Sequence, residues 1–209
     1  KTHKLVLEGL FGAVNKVTTT KKLMEKKQLS NLKIYAIVLN HTKDSCHYVH
    51  DKKYHEEMSF LVSHTPRNKF IRNLCLNLQG NTLCLFTLVE KHGKVLLDMI
   101  KKKAENKRKV FFVYGGVEAL DREKIRSIVE KEDNAIIVAS YGTFSTGINI
   151  RNLHNIVFSS PTKSKIRSLQ SIGRGLRIGD NKTEATLYDI ADNLTYNKKK
   201  NYTLEHFSN

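Results

Sequence analysis

Short apolar runs alternate with amphipathic stretches along much of the chain. A continuous apolar run predicts a strand that is buried on both faces, and apolar residues spaced three and four apart predict a helix. The predicted strands are Leu32–Leu39, Thr82–Thr87, Val110–Val113, Ala135–Ala139, Asn155–Phe158 and Ala185–Ile190. The predicted helices after residue 80 are His92–Lys103, Val117–Glu130 and Ser164–Arg177. In Val117–Glu130 the residues expected to face inward are Leu120, Ile125, Ile128 and Val129.

This alternation predicts an α/β fold with a mostly parallel sheet and helices on both faces. In such folds ligands bind beyond the carboxyl ends of the strands. Glycine-containing loops follow Val113 and Ala139, so both loops should lie at that edge.

The region before residue 80 is less regular. Two helices are predicted, Tyr54–Ser63 and Arg67–Leu78, with Pro66 between them. The polar segment His41–Lys53 predicts an irregular loop, and its pattern indicates no function.

Charge narrows the class of partner. Lysine and arginine total 36 against 20 acidic residues, a net charge of +16. Such an excess favours a polyanionic partner, most often nucleic acid, and the alternative is a lysine-rich soluble surface. No apolar run has the length of a membrane span or a signal peptide, so we expect no membrane partner and a cytoplasmic location.

The cysteines and histidines do not predict a metal site. Cys46, Cys75 and Cys84 lack the spacing of a zinc or redox motif and are expected to be free thiols. Cys46, His47 and His50 are close in sequence, but a second ligand pair is missing.

The segment QSIGRGLR carries the most specific chemistry. Gln170, Gly173, Arg174 and Arg177 occupy offsets 0, 3, 4 and 7, which form one stripe on a helix. Arginine binds phosphate oxygens bidentately and stays charged at neutral pH. The stripe therefore predicts a polyphosphate site, and the alternative is an amphipathic helix with solvated arginines.

A second segment, ASYGTFSTGINI, leaves a predicted strand and is rich in hydroxyl groups and glycine. Small hydroxyl residues and exposed amides suit contacts with phosphate groups, although an ordinary polar loop has the same composition. The chain has no glycine-lysine-serine/threonine loop and no acidic pair to hold Mg²⁺. The arginines therefore make only half of an active site.

These segments together resemble superfamily 2 helicases. QSIGRGLR matches motif VI (Q-x-x-G-R-x-x-R), ASYGTFSTGINI resembles motif V, and TLCLFTLVEKHGKVL resembles motif IV. VFFVYGGVEALDREKI is similar to the strand–glycine–helix segment between motifs IV and V. More narrowly, GLFGAVNKVTTTKKLMEKKQLSNLKI and KSKIRSLQSIGRGLR resemble UvsW-like phage DNA helicases over nearly the whole chain.

The resemblance implies a RecA-like second motor domain over residues 36–192. Residues 1–35 would end the first motor domain and cross to the second, and residues 193–209 would begin a C-terminal extension. ATP and Mg²⁺ would bind mainly to the first motor domain, whose motifs I and II would lie upstream of Lys1. The implied partners are that first motor domain and DNA, contacted through its backbone.

The resemblance also implies roles for individual residues. Arg174 and Arg177 match the arginine fingers that reach ATP across the interdomain cleft. The residues implied to face ATP are Gly147, Asn149, Gln170 and Gly173, and many relatives have aspartate at the position of Asn149. The residues implied to contact DNA are Thr87, Lys91, His92, Gly115, Ser140, Tyr141, Gly142 and Thr143.

The function implied is that of the C-terminal motor half of an ATP-dependent DNA helicase, which unwinds or branch-migrates recombination and replication intermediates. The chain alone would not hydrolyse ATP. The alternatives are an RNA-remodelling helicase of the same superfamily and a non-catalytic nucleic-acid-binding module.

Overall fold

The computed structural model describes residues 31–147, 150, 152–160, 184–197 and 202. Before residue 80 the elements are β1 (Asn31–Asn40), α1 (Lys43–Val49), α2 (Tyr54–Ser63) and α3 (Thr65–Asn77). They are followed by β2 (Thr82–Phe86), a π-helical turn (Val89–Gly93), α4 (Lys94–Ala104), β3 (Val110–Val113) and α5 (Ala119–Val129). The last are β4 (Ile136–Ser140), α6 (Tyr141–Gly147), β5 (Asn155–Phe158) and β6 (Glu184–Asn193).

The six strands form one parallel sheet with the order β1-β6-β5-β2-β4-β3. Thr82 at the start of β2 pairs with Ile136 of β4 on one side and Asn155 of β5 on the other. Every residue of β2 and β5 is buried, which accounts for their uninterrupted apolar character. The predicted α/β fold with a parallel sheet is confirmed.

Helices cover both faces of the sheet. On one face, α3 and α4 pack through Ile71 and Ile100 against a cluster that includes Phe86 of β2. On the other face, Phe144 of α6 packs in a cluster with Leu85 of β2. The chain crosses from β1 to β2 and from β2 to β3 in one direction along the sheet, and then turns back. Because parallel crossovers are right-handed, this reversal places α5 and α6 opposite α3 and α4.

A small third core lies beside the main sheet, where α1 and α2 pack on the segment after β6. Its buried members are Cys46, Val49, Met58, Leu61 and Leu194. The prediction that His41–Lys53 is an irregular loop is therefore wrong, because it contains α1. Thr42 caps this helix by accepting a hydrogen bond from the Ser45 backbone N–H at 3.3 Å.

Two other expectations differ from the structure. The segment after β4 was expected to be a loop, but it begins with α6, and Ser140 Oγ accepts a hydrogen bond from the Thr143 N–H. In α5, Leu120 and Ile128 were expected to face inward, but they are 73% and 42% exposed. This helix lies near the sheet edge, where only one narrow stripe is covered.

The predicted domain boundary at residue 36 falls inside β1. All ten residues of β1 pair in register with β6, from Asn31 with Glu184 to Asn40 with Asn193. The strand thus belongs to this sheet along its whole length.

Candidate nucleic-acid interface

The loops that follow β2, β4 and β5 meet at the carboxyl edge of the sheet. These strands are neighbours, with β2 in the centre, and they end at Phe86, Ser140 and Phe158. The loop after β3 lies next to them. Parallel topology therefore brings together residues that are more than 70 positions apart in sequence.

After β2, the chain turns outward and then forms the π-helical turn. Thr87 and Lys91 are exposed, and Leu88 is 37% exposed. Gly93 closes the turn against the Phe86 ring, and an added Cβ there would lie 2.5 Å from a ring carbon. Glycine thus allows the turn to pack closely on the end of β2.

His92 points inward from the same turn and is fully buried. Its Nδ1 lies 3.1 Å from Ser160 Oγ, and its Nε2 has no hydrogen-bond partner among the described residues. Burial, with a smaller effect of the Arg67 charge, lowers the pKa of His92 to about 3. The ring is therefore neutral at physiological pH, and its side chain is not placed to contact DNA.

After β3, Gly115 is exposed, and a Cβ added there would meet nothing within 4 Å in the part of the chain that the structure describes. Gly116 is different, because an added Cβ would lie 2.6 Å from the Tyr114 ring. Gly115 is thus the open position of this loop.

After β4, the hydroxyl groups are used within the protein. Ser140 Oγ and Thr143 Oγ1 are 2.8 Å apart, and Tyr141 donates its hydroxyl hydrogen to Ser160 O at 3.1 Å. Tyr141 is 2% exposed and Thr143 is 6% exposed, whereas Gly142 is exposed. Gly142 carries no side chain, and a Cβ added there would meet nothing within 4 Å among the described residues.

At this edge, some of the residues that the resemblance assigned to DNA are exposed and others are buried. Thr87, Lys91, Gly115 and Gly142 are exposed, and Ser140 is partly exposed. His92, Tyr141 and Thr143 are buried, so their side chains shape the loops rather than face a ligand.

The residues assigned to ATP fall almost entirely outside the described part. Gly147 is the last residue of α6. Asn149, Gln170, Gly173, Arg174 and Arg177 lie outside the described residues. Among the residues that are described, no group of three or more His, Cys, Asp or Glu side chains is placed to hold a metal ion.

A buried ion pair under this edge was not predicted from the sequence. Arg67 Nε lies 2.9 Å from Asp192 Oδ1, Arg67 Nη2 donates to Ser159 O at 2.9 Å, and His41 Nε2 lies 2.8 Å from Asp192 Oδ1. Burial acts to raise the pKa of Asp192, but the Arg67 charge and the hydrogen bonds from His41 and Arg67 hold it below its ordinary value. The partners are 125 residues apart, so no local pattern reveals the pair.

The three cysteines are free thiols, and all three are buried. Cys46 belongs to the small third core, and Cys75 and Cys84 pack between α3 and β2. Over the described part of the chain, no helix combines the length and apolar character needed to cross a membrane.

Comparison with known proteins decides the family. Residues 66–179, more than half of the chain, match the family model of the helicase conserved C-terminal domain. The chain belongs to this family. The resemblance found in motifs IV to VI is thereby confirmed at the level of the family.

Relatives agree with this assignment. The ATP-dependent DNA helicase UvsW of enterobacteria phage T4 is 39% identical to the chain over 219 aligned residues, which cover 99% of the chain and 43% of UvsW. The crystal structure of T4 UvsW superposes with a TM-score of 0.71 and 37% identity over 85% of the chain and 38% of that structure. This helicase C-terminal domain therefore spans less than half the length of the relative it matches.

More distant structures share the fold alone. The restriction-modification enzyme LlaBIII bound to DNA has a TM-score of 0.62 at 15% identity, over 96% of the chain and 15% of that protein. The E. coli DEAD-box protein SrmB has a TM-score of 0.51 at 11% identity, over 78% of each chain. Both support the RecA-like arrangement of the parallel sheet.

Proposed function

We propose that the chain is the C-terminal motor half of an ATP-dependent DNA helicase that unwinds or branch-migrates recombination and replication intermediates. The observation that carries this proposal is the meeting of the motif IV and motif V loops at one sheet edge. Ser160, from which the arginine-bearing segment departs, lies at the same edge. The relative named an ATP-dependent DNA helicase supports the choice of activity and substrate.

On the DNA side, the exposed positions suit a phosphate backbone. Among the described residues, a Cβ added at Gly115 or Gly142 would meet nothing within 4 Å, and Thr87 and Lys91 add a hydroxyl group and a positive charge nearby. Such contacts carry no base preference, which is what a motor moving along DNA requires. The net charge of +16 attracts the polyanion and makes its binding sensitive to salt.

For the proposed nucleotide site, the described residues on either side of the segment 161–183 limit the path that this segment can take. It leaves the carboxyl edge after Ser160 and returns to the amino edge at Glu184. Because parallel crossovers are right-handed, a connection from β5 to β6 would be expected on the face covered by α5 and α6. Ile34 and Val38 of β1 share that face with the packed Leu32, and they are 60% and 43% exposed.

We propose that the apolar stripe predicted for Ser164–Arg177 covers this part of the sheet. Arg174 and Arg177, on the neighbouring stripe of that helix, would then project towards a first motor domain. There they would stabilise the charge that develops on the γ-phosphate during its transfer. Residues 1–30 would include the end of that domain, and residues 193–209 would begin a C-terminal extension.

The chain supplies only part of a nucleotide site. ATP provides the phosphate bond that is cleaved, and Mg²⁺ provides the positive charge that activates it. Both would be held mainly by the first motor domain. From this chain, Gly147, Asn149, Gln170 and Gly173 would face the nucleotide. This division agrees with the absence of a glycine-lysine-serine/threonine loop from the sequence.

ATP hydrolysis by the intact protein tests the proposal. We expect turnover to be stimulated by branched or single-stranded DNA, and we expect the isolated chain to bind DNA without hydrolysing ATP. Stimulation by RNA but not DNA would instead indicate an RNA-remodelling helicase. DNA binding by an intact protein that never hydrolyses ATP would indicate a non-catalytic module.

A further inference from the structure

The dipeptide Ser159–Ser160 joins parts of the protein that are far apart in sequence. It directly follows β5 and precedes the segment that carries Arg174 and Arg177. Ser159 is fully buried and Ser160 is 1% exposed. Polar groups at such a depth are held by specific partners, because a buried group without a hydrogen bond is costly.

Ser160 is bonded to both loops assigned to DNA. Its Oγ accepts a hydrogen bond from the Thr87 backbone N–H at 3.3 Å and lies 3.1 Å from His92 Nδ1. Its carbonyl oxygen accepts the Tyr141 hydroxyl at 3.1 Å. Thr87 and His92 belong to the loop after β2, and Tyr141 begins α6 after β4. We call these four residues the Ser160 junction.

Ser159 is held differently. Its Oγ donates to the Leu85 carbonyl oxygen at 2.6 Å, and its backbone N–H donates to the same oxygen at 3.0 Å. Its own carbonyl oxygen accepts from Arg67. The Ser159 hydroxyl therefore reinforces the pairing of β5 with β2. The Ser160 hydroxyl connects the end of β5 to the loop after β2, and the Ser160 carbonyl oxygen connects it to α6.

Three of the four residues of the Ser160 junction are buried, and the fourth, Thr87, is exposed. His92 is fully buried, and Tyr141 is 2% exposed. In an interior of low dielectric constant, hydrogen bonds are strong and a displaced partner is not replaced by water. A shift of the loop after β2 or of α6 is thus transmitted to Ser160 rather than absorbed by solvent.

We propose that Ser160 and His92 are positioning residues that couple DNA contact at the loops after β2 and β4 to the placement of the arginine-bearing segment. This inference rests on the proposed function. The loops bind the DNA backbone at Thr87 and Gly142, and Ser160 fixes the point where the segment 161–183 begins. Without the junction, DNA still binds, but binding no longer sets the position of the arginines.

The test compares Ser160→Ala with Ser159→Ala in the intact enzyme. The two serines are adjacent and buried, and each hydroxyl group makes hydrogen bonds, so the pair is closely matched. For Ser160→Ala we expect the ratio of DNA-stimulated to DNA-independent ATP hydrolysis to fall about tenfold, in the usual range of coupling between sites. We expect the Kd for DNA to change less than about twofold, within the scatter of a single-site change. Ser159→Ala should retain the ratio.

Variants at two further residues separate positioning from folding. His92→Asn keeps a hydrogen-bonding group near the position of Nδ1 and should retain most of the coupling, whereas His92→Leu should lose it. Tyr141→Phe leaves the Ser160 side chain in place and should reduce the ratio even if Ser160→Ala does not fold. Thermal unfolding of each variant reports its stability independently.

The outcomes distinguish the two proposals. A wild-type enzyme without DNA-stimulated hydrolysis overturns the proposed function. A stimulated wild type, in which Ser160→Ala, His92→Leu and Tyr141→Phe keep the ratio of Ser159→Ala, overturns the Ser160 junction and leaves the proposed function standing. Equal losses of basal and stimulated turnover in Ser160→Ala would likewise mean that the hydroxyl group is only structural.

Discussion

At the carboxyl end of β2, a single histidine shows how burial decides what a residue does. The resemblance placed His92 among the DNA contacts, but the π-helical turn directs it inward to Ser160 and leaves Lys91 exposed. The sequence pattern identifies the loop. Which of the neighbouring side chains Lys91 and His92 points inward depends on how Gly93 packs against Phe86. The loop could therefore be predicted and the orientation of its side chains could not.

The buried His92 should make the protein sensitive to mild acid. Its pKa is about 3 in the folded protein against an ordinary value of 6.5. Above pH 6.5 the ring is neutral in both states, and below it only the unfolded chain takes up the proton. Stability is therefore lost as the pH falls from 6.5 towards 3, by about 2 kcal/mol from this group between pH 7 and pH 5.

Urea unfolding of the chain and of His92→Asn at pH 7, 6 and 5 measures this effect. The free energy of unfolding of the variant should depend less steeply on pH. The lowered pKa of His64 acts in the same direction but is present in both proteins, so it cancels in the difference. Parallel curves for the two proteins would show that the pKa of His92 is not lowered in the folded state.

The substitution Gly142→Ala tests whether DNA contacts the protein at this position, because it adds a single methyl group. An alanine Cβ there would meet nothing within 4 Å in the described part of the chain, so Gly142→Ala should leave the fold intact. If the DNA backbone approaches the main chain at this position, the added methyl group should weaken DNA binding by about tenfold, equivalent to about 1.4 kcal/mol. Fluorescence anisotropy with labelled DNA measures the change, and thermal unfolding is the control. Unchanged affinity would remove Gly142 from the interface.

At the scale of elements, strands were predicted best because both sheet faces are covered. The uninterrupted apolar runs of β2, β3 and β5 could only be buried strands or short buried helices, and their length favoured strands. The helices α1 and α6 were missed because each has only 7 residues, too few to show a helical period. Their stability comes from the third core and from the packing of Phe144.

The carboxyl end of α3 depends on one arginine, which gives a prediction for this element. Arg108 Nη1 donates to the carbonyl oxygens of Cys75 and Leu76, which the last turn of α3 leaves without partners inside the helix, and to that of Leu78 just after it. Arg108→Ala should lower the free energy of unfolding by about 2–4 kcal/mol, because several charge-assisted hydrogen bonds are lost together.

The neighbouring Lys109 is the matched control for Arg108. It forms an exposed ion pair with Glu132, and Lys109→Ala should cost less than about 1 kcal/mol. Both residues lie at the amino edge of the sheet, so DNA affinity should change little in either variant beyond the loss of one charge. Equal stabilities of the two variants in urea unfolding would contradict the role given to Arg108.

At the scale of the whole molecule, the parallel sheet explains why the motif IV and motif V segments, which are separate in sequence, meet at one edge. Sequence patterns predicted the fold class and the position of the loops after β3 and β4 at the carboxyl edge, because parallel topology follows from alternating strands and helices. The pair Arg67–Asp192 and the contacts of Ser160 were not predictable, since they depend on the strand order rather than on any local motif. The family assignment agrees with the motifs, and we propose that the nucleotide site is shared with a first motor domain.

The central claim is that this domain completes an ATP site with Arg174 and Arg177 while it holds DNA elsewhere. The most direct measurement is DNA-stimulated ATP hydrolysis by the intact enzyme carrying Arg174→Ala or Arg177→Ala, with Arg72→Ala, a partly exposed arginine on α3, as control. Each finger variant should lose hydrolysis by a factor of about 10³ or more and keep its DNA affinity, and the control should match the wild type. Near-normal turnover in both finger variants would contradict the account.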